Sequence, residues 1–567
     1  MLNKYSRIIT QNVQNGAAQS MLYALGMTKK DLTKAQIGVG TVVFDSNPCN
    51  AKLGKLSEIV SESLKGNKYY PFKFSSVGVS DGITMGTPGM QYSLPSRELI
   101  ANNFETIAKA HYYDGLVCIP GCDKNLPGVL MAMCRIDRPS FIIYGGSMPP
   151  AKVNGNETDI VTAFECYGKL VSNKISKKEH DNIIQNCCNK NGGSCSGLYT
   201  ANTMASLFEV MGLTLPNSSS NPAYSDSKYD ECRKSRKIMD ICMKKDLKPS
   251  TILNKTSFIN AIKMLYCIGG STNAIIHLLA IANELNVKLD INEFNNYSDT
   301  PILLNMKPHG EYMMYHLHKT GGMSIFIHYL IGCGIIDGNQ MTITGKTLHQ
   351  NVTRHSLKHF RIHNMYDMAN FIKGQNIIMN INKPFKENNH IHILKGNIAK
   401  NGCISKIYDS ETNFNGKTLV YENEPEMIES LQKGDINKNN IIIIRGQGET
   451  TGCPEMLRPT SALIGYFGEN DVPPLITDGR FSGGSHGILC AHIDDMYKTD
   501  SIVGYIKKGD VININTKNNT INVNVNEEEI NKRKKYMGEI KKPNYKNGYL
   551  KTYCKYVGNI NNGFILE

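Results

Sequence analysis

A chain of 567 residues with 41% hydrophobic and 20% charged residues can bury a large core, and its length fits two to four domains at roughly 150 residues each. The net charge of +13 comes from lysines scattered among Asn and Ile, which excludes a dense basic stripe for nucleic acid but suits an anionic small molecule. No apolar run approaches the roughly 20 residues of a membrane span, and residues 1–10 lack a secretory apolar core, so the 16 cysteines are expected as thiols or metal ligands in a reducing compartment.

No Cys-x-x-Cys pair occurs, so any bound metal must draw its ligands from separate loops. The first candidate is Asn47-Pro48-Cys49-Asn50, a turn by composition, which puts Cys49 on a loop. Taken alone, Cys49 also reads as a small buried hydrophobe. Next, Gly78-Val79-Ser80-Asp81-Gly82 sets Asp81 in a glycine turn, where a carboxylate can reach a hard cation. An ordinary Asp-Gly turn is the other reading.

Residues 115–119 form a short apolar run, and 126–136 have helical spacing. Between them lies Pro120-Gly121-Cys122-Asp123-Lys124-Asn125. It places a soft sulfur, a hard oxygen and an amine in succession at a strand end, where α/β sheets bind ligands. Residues 141–144 are a further strand candidate. Gly192-Gly193-Ser194-Cys195-Ser196-Gly197 then opens a helix over 198–211, without the GxxxxGK[ST] pattern of an ATP loop. Residues 262–279 repeat the scheme around Gly269-Gly270. This alternation predicts an α/β domain with a mostly parallel sheet over residues 1–380.

The polar stretch 380–389, with Pro384, reads as a linker. Beyond it, short strand patterns dominate at 392–394, 441–444, 475–476, 511–516 and 521–525. They predict a β-rich domain over 381–567, a barrel or a sandwich. Its turns offer the Glu455 carboxylate, in Gly452-Cys453-Pro454-Glu455-Met456, and the Ser482 hydroxyl, in Thr477-Asp478-Gly479-Arg480-Phe481-Ser482-Gly483-Gly484. A serine in such a turn is most often structural.

Taken together, these stretches resemble the dihydroxy-acid and sugar-acid dehydratase family, in order, from Leu2 almost to the C-terminus. The matching segments include 76–100, 122–133, 192–205, 269–278 and 477–484. The resemblance implies roles by position. Cys49, Cys122 and Cys195 match ligands of an iron–sulfur cluster with one open iron position. Asp81, Asp123 and Glu455 match Mg²⁺ ligands, and Lys124 matches a lysine that is carbamylated. Ser482 matches the catalytic base. The implied cluster is 2Fe–2S, with 4Fe–4S as the alternative, and the implied assembly is a homodimer.

The implied activity is that of a hydro-lyase without net redox change. Tyr92-Ser93-Leu94-Pro95-Ser96-Arg97-Glu98-Leu99-Ile100 is similar to the branched-chain biosynthetic members. That implies dehydration of 2,3-dihydroxy-3-methylbutanoate and its methylpentanoate homologue in valine, leucine and isoleucine biosynthesis. A sugar-acid or phosphogluconate dehydratase is the alternative, and a non-catalytic iron–sulfur protein is the alternative from another class. Three stretches depart from the family pattern: Cys453, where Met is usual, Ala491-His492-Ile493-Asp494-Asp495-Met496, and the segment from Gly446 to Gly452, which is atypical and short. Cys118, Cys187 and Cys188 are expected to be structural. The resemblance starts at Leu2, so the expected location is the cytoplasm, or an organelle interior for an organelle-encoded or processed chain.

Overall fold

Short apolar runs rich in Val, Ile and Gly build the first sheet. In the computed structural model, which describes residues 2–407 and 412–567, its strands are β1 (Ala35–Thr41), β2 (Tyr69–Ser75), β3 (Gly115–Ile119) and β4 (Ser140–Ile142). They run in the order β2-β1-β3-β4, all parallel. β1 and β3 are buried along their whole length, as strands covered on both faces must be. The expected parallel α/β architecture is therefore present. β1 and β2 carry no clean strand signal, because glycines interrupt one, and Pro71 and Lys73 the other.

The covering helices include α1 (Leu53–Leu64), α2 (Ser93–Ala110), α3 (Asn125–Ile136), α4 (Thr200–Val210), α5 (Lys255–Cys267) and α6 (Asn273–Glu284). α4 is buried at every position, and α3 at every position but Arg135. A helix buried all round lies in the centre of a large core; α3 is mostly apolar, while the polar side chains of α4 are paired, Asn202 with Tyr144 and Glu209 with Ser219. α3 meets α2 at Gly128, where a Cβ would lie 2.6 Å from the Arg97 carbonyl oxygen.

The β-rich part closes into an eight-stranded barrel, not a sandwich. Its strands are β5 (Ile391–Gly396), β6 (Ala399–Lys406), β7 (Asn413–Tyr421), β8 (Asn440–Ile444), β9 (Leu475–Thr477), β10 (Leu489–Ala491), β11 (Val511–Asn515) and β12 (Thr520–Val523). They join in the order β8-β9-β10-β6-β5-β12-β11-β7 and back to β8. Along β8 the side chains alternate. Ile441 and Ile443 join the barrel core with Ile476, Ile512 and Ile521. Ile442 and Ile444 pack outward with Met427, Leu431 and Leu463, on α7 (Glu424–Gln432) and α8 (Arg458–Phe467).

The two parts are laced together. Lys386, within the polar stretch, bridges to Ile302. The Arg97 guanidinium donates to the carbonyls of Gly563 (2.7 Å) and Phe564 (3.0 Å), so the chain end returns to α2. Among the described residues no helix is long and apolar enough to cross a membrane.

Candidate active site

Parallel strands send their carboxyl ends in one direction, so the loops that leave them share one edge of the sheet. The loop after β1 carries Cys49, and Asp81 begins a short helix, Asp81–Thr84, after β2. Cys122, Asp123 and Lys124 follow β3 directly. The Cys195 loop is bound to these loops by its backbone. Gly193 N–H donates to the Pro48 carbonyl (3.0 Å), Ser194 N–H to the Gly146 carbonyl (3.0 Å), and Met148 N–H to the Ser194 carbonyl (2.7 Å). The Ser194 hydroxyl donates to the Gly121 carbonyl. The following helix, expected from 198, starts at Thr200, and Leu198 N–H donates instead to the Lys307 carbonyl at 2.9 Å.

Gly121 is where two cysteine loops touch. A Cβ there would lie 2.4 Å from the Cys49 carbonyl oxygen. Gly121→Ala should therefore cost about 2 kcal/mol of stability, read from the shift in a denaturant unfolding midpoint. An unchanged midpoint would show that the loops yield freely. The close approach makes Cys49, Cys122 and Cys195 neighbours. Hydrogen bonding with Cys122 and Cys195, then burial, pushes the Cys49 thiol well above the usual range. All three are free thiols.

Carboxylates gather beside them. Oxygens of Asp81, Asp123 and Glu455 all lie within 4.8 Å of one another. The Lys124 amine sits among them, 2.6 Å from Asp81 Oδ2, 2.8 Å from Glu455 Oε2 and 3.7 Å from Asp123 Oδ2. Burial pulls the Lys124 ammonium down and Arg480 adds to that, but the surrounding carboxylates outweigh both and the net shift is upward. Asp123 is pushed up to about 8 by burial, with Lys124 opposing and Asp81 and Glu455 reinforcing. Glu455 Oε1 is buried with no partner among the described residues. Three buried carboxylates with too little countercharge form a natural seat for a hard cation.

Three further side chains set this geometry. Arg480 Nη1 donates to Glu455 Oε2 (2.8 Å), Arg480 Nη2 to Ser93 Oγ (3.1 Å), and Ser93 Oγ to Asp81 Oδ1 (2.6 Å). Asn273 Nδ2 donates to Glu455 Oε2 at 3.0 Å. Sequence reasoning names none of these three as site residues. All three fall inside the family-like segments, but nothing local says which way they point.

Ser482 follows the short strand Arg480–Phe481, which pairs in parallel with Glu455–Met456. One ribbon therefore carries the carboxylate and the hydroxyl together. Ser482 N–H donates to the Met456 carbonyl at 3.2 Å. Gly483 is obligatory, since a Cβ there would lie 2.7 Å from the Thr200 nitrogen.

A cavity of about 420 Å³ collects the set: Cys49, Asp81, Cys122, Asp123, Cys195, Glu455 and Ser482 all line it. Lys124 is 1% exposed and lies behind the carboxylates. Met85, Val161, Phe164 and Leu457 form an apolar wall of the same cavity.

Cys118 is core, on β3. Cys188 lines the cavity, with its sulfur 4.0 Å from that of Cys187. The three departures from the family pattern lie outside the cavity lining. Cys453 is buried with φ +48°, its sulfur 3.7 Å from His492 Nδ1. Asp495 accepts from the Thr450 N–H (2.9 Å) and hydroxyl (2.7 Å), which anchors the segment ahead of Glu455.

Comparison with known proteins agrees with this geometry. Residues 34–351 match the family described as dihydroxy-acid/6-phosphogluconate dehydratase N-terminal, and residues 376–564 match its C-terminal counterpart. A mitochondrial dihydroxy-acid dehydratase of Aspergillus terreus is 42% identical over 100% of this chain and 93% of its own length. The dihydroxy-acid dehydratase of Francisella tularensis subsp. novicida is 41% identical over 100% of this chain and 99% of its own. The mitochondrial enzyme of that name from Saccharomyces cerevisiae is 42% identical over 100% and 96%. Matched along both halves and over its full length, the chain belongs to the dihydroxy-acid/6-phosphogluconate dehydratase family of hydro-lyases.

Proposed function

We propose that the protein dehydrates 2,3-dihydroxy-3-methylbutanoate and 2,3-dihydroxy-3-methylpentanoate to the 2-keto acids of valine, leucine and isoleucine biosynthesis. The observation that carries this reading is the convergence of three thiols, three carboxylates and one serine hydroxyl on one small cavity. Its apolar wall of Met85, Val161, Phe164 and Leu457 favours a methyl-branched acid. A sugar acid would bring hydroxyls there with nothing to bond, at a cost of desolvation.

In this reading Cys49, Cys122 and Cys195 hold an iron–sulfur cluster, 2Fe–2S by resemblance. Asp81, Asp123, Glu455 and a carbamylated Lys124 hold Mg²⁺. The donors fit, with soft sulfur together and hard oxygen beside it. Carbamylation turns the Lys124 cation into an anion and makes the site two charges more negative, which a divalent ion offsets. When bound, the two groups supply Lewis acidity to the substrate oxygens.

Ser482 performs the proton transfer. Its Oγ, as alkoxide, takes the C2 proton, and the C2–H electron pair forms the C2=C3 bond as hydroxide leaves C3. The enol then tautomerises to the 2-keto acid. Electrons balance within the substrate, so no redox partner enters. An ordinary serine hydroxyl is far too weak a base, so nearby cationic charge must lower its pKa. Residues 1–380 would act as the cluster- and Mg-binding unit, with 381–567 supplying Glu455 and Ser482. An exposed apolar groove at Val77, Ile83, Tyr92 and Leu99 supports a homodimer.

Anaerobic purification with iron, sulfide and magnesium analysis, followed by keto-acid assays, tests the reading. Both branched substrates should turn over, and pentonates and hexonates should not. Turnover of a hexonate but neither branched acid would replace this reading with the sugar-acid one.

A further inference from the structure

The Ser482 turn is clamped from two sides. On one side Gly483 lies against the first turn of α4, where its missing Cβ would come within 2.7 Å of the Thr200 nitrogen and 3.0 Å of Ser271 Cβ. On the other side stands Lys406, the last residue of β6 in the barrel. Its side chain is buried at 3% exposure. Its amine donates to the Ser485 carbonyl at 2.6 Å and the Gly483 carbonyl at 3.3 Å. Those carbonyls belong to the first and third residues after Ser482. The turn closes on itself through Ser485 N–H to the Ser482 carbonyl at 3.0 Å. The Ser485 hydroxyl also contacts Thr460 Oγ1 at 3.0 Å.

Among the described residues Lys406 has no carboxylate partner. A buried amine without one is expensive, and a methionine of similar length would pack at lower cost. Burial alone pulls its pKa down to about 7. His309, His390 and His486 all feel its charge and are pushed down as well, chiefly by their own burial. The barrel therefore keeps a costly amine at this turn, and the groups it binds are backbone carbonyls that frame Ser482.

We infer that Lys406 is the positioning residue for Ser482: it ties the turn that bears the base to the barrel through the carbonyls of Gly483 and Ser485. The inference rests on the reading of Ser482 as the base.

Lys406→Met tests it, alongside Ser482→Ala, on anaerobically prepared holoenzyme with turnover expressed per bound iron. A C2-deuterated branched dihydroxy acid is the probe. A displaced base should lower kcat about 100-fold, leave KM within about threefold and raise the primary deuterium isotope effect on kcat, because proton abstraction becomes more rate-limiting. Loss of folded or loaded enzyme would not change an isotope effect. Amide exchange at residues 482–485 should also quicken. If Lys406→Met does not fold, Lys406→Gln, which keeps a donor, is read by the same isotope effect. A kcat within about threefold of the parent, or a slower variant with an unchanged isotope effect, overturns the role of Lys406. If Ser482→Ala itself retains turnover, the base assignment falls and this inference falls with it. An inactive Ser482→Ala beside an unimpaired Lys406→Met removes Lys406 alone.

Discussion

Ser482→Ala should lose about 1,000-fold in kcat, the middle of the range for a positioned general base, while its iron, sulfide and magnesium contents stay equal to the parent's. The substitution removes one hydroxyl and little else. The Ser482 N–H still donates to Met456, and its carbonyl still accepts from Ser485 N–H. The hydroxyl lines the cavity and bonds no described side chain, so nothing is orphaned by its loss. Stability should stay within about 1 kcal/mol of the parent. KM should change little, because the lost interaction is one made in the transition state. Steady-state kinetics with metal analysis and a thermal melt read all three. Retained turnover with an intact cluster would exclude Ser482 as the base.

Arg480→Met should be the most destabilising single substitution at the site, at about 3–5 kcal/mol. Arg480 is fully buried, and its guanidinium serves four groups: Glu455 Oε2 (2.8 Å), the Cys453 carbonyl (2.7 Å), Ser93 Oγ (3.1 Å) and Asn273 Oδ1 (3.4 Å). Methionine fills similar space but offers no donor. The Cys453 carbonyl is left buried without its donor, and Glu455 keeps only Lys124 and Asn273. The ribbon that joins Glu455–Met456 to Arg480–Phe481 loses the bonds that hold it against α2. Bound Mg²⁺ would restore part of the missing positive charge. The loss should therefore be larger in magnesium-depleted protein than in the loaded form, which paired guanidinium titrations would show. A loss below about 1 kcal/mol in both forms would mean that Arg480 is no part of the electrostatic frame.

Much of the fold is legible in the order of residues along the chain. The strand at Gly115–Ile119 agrees to the residue, the helix after it agrees within one residue, and five of the eight barrel strands fall on the expected runs, whereas β6, β7 and β10 lie outside them. Turn chemistry also places Cys49, Cys122 and Ser482 at loops or strand ends. Each of these signals is local: it depends on side-chain period, on Gly and Pro, and on the few residues around a turn. β1 is missed for the same reason, since its glycines erase the pattern, and they are there for packing. A Cβ at Gly40 would lie 2.4 Å from the Phe104 ring.

The site itself is a different kind of object. Lys124 and Glu455 are 331 residues apart in sequence and 2.8 Å apart in space, and Arg480 reaches Ser93 across 387 residues. No local period encodes such pairs. By itself the sequence determined that an α/β sheet precedes a β-rich part, and that reactive residues stand on loops. Only the tertiary structure decided that these loops share one cavity, because that follows from parallel strands aligning their ends, glycines letting loops touch at Gly121 and Gly483, and a closed barrel delivering Glu455 and Ser482 on a single ribbon.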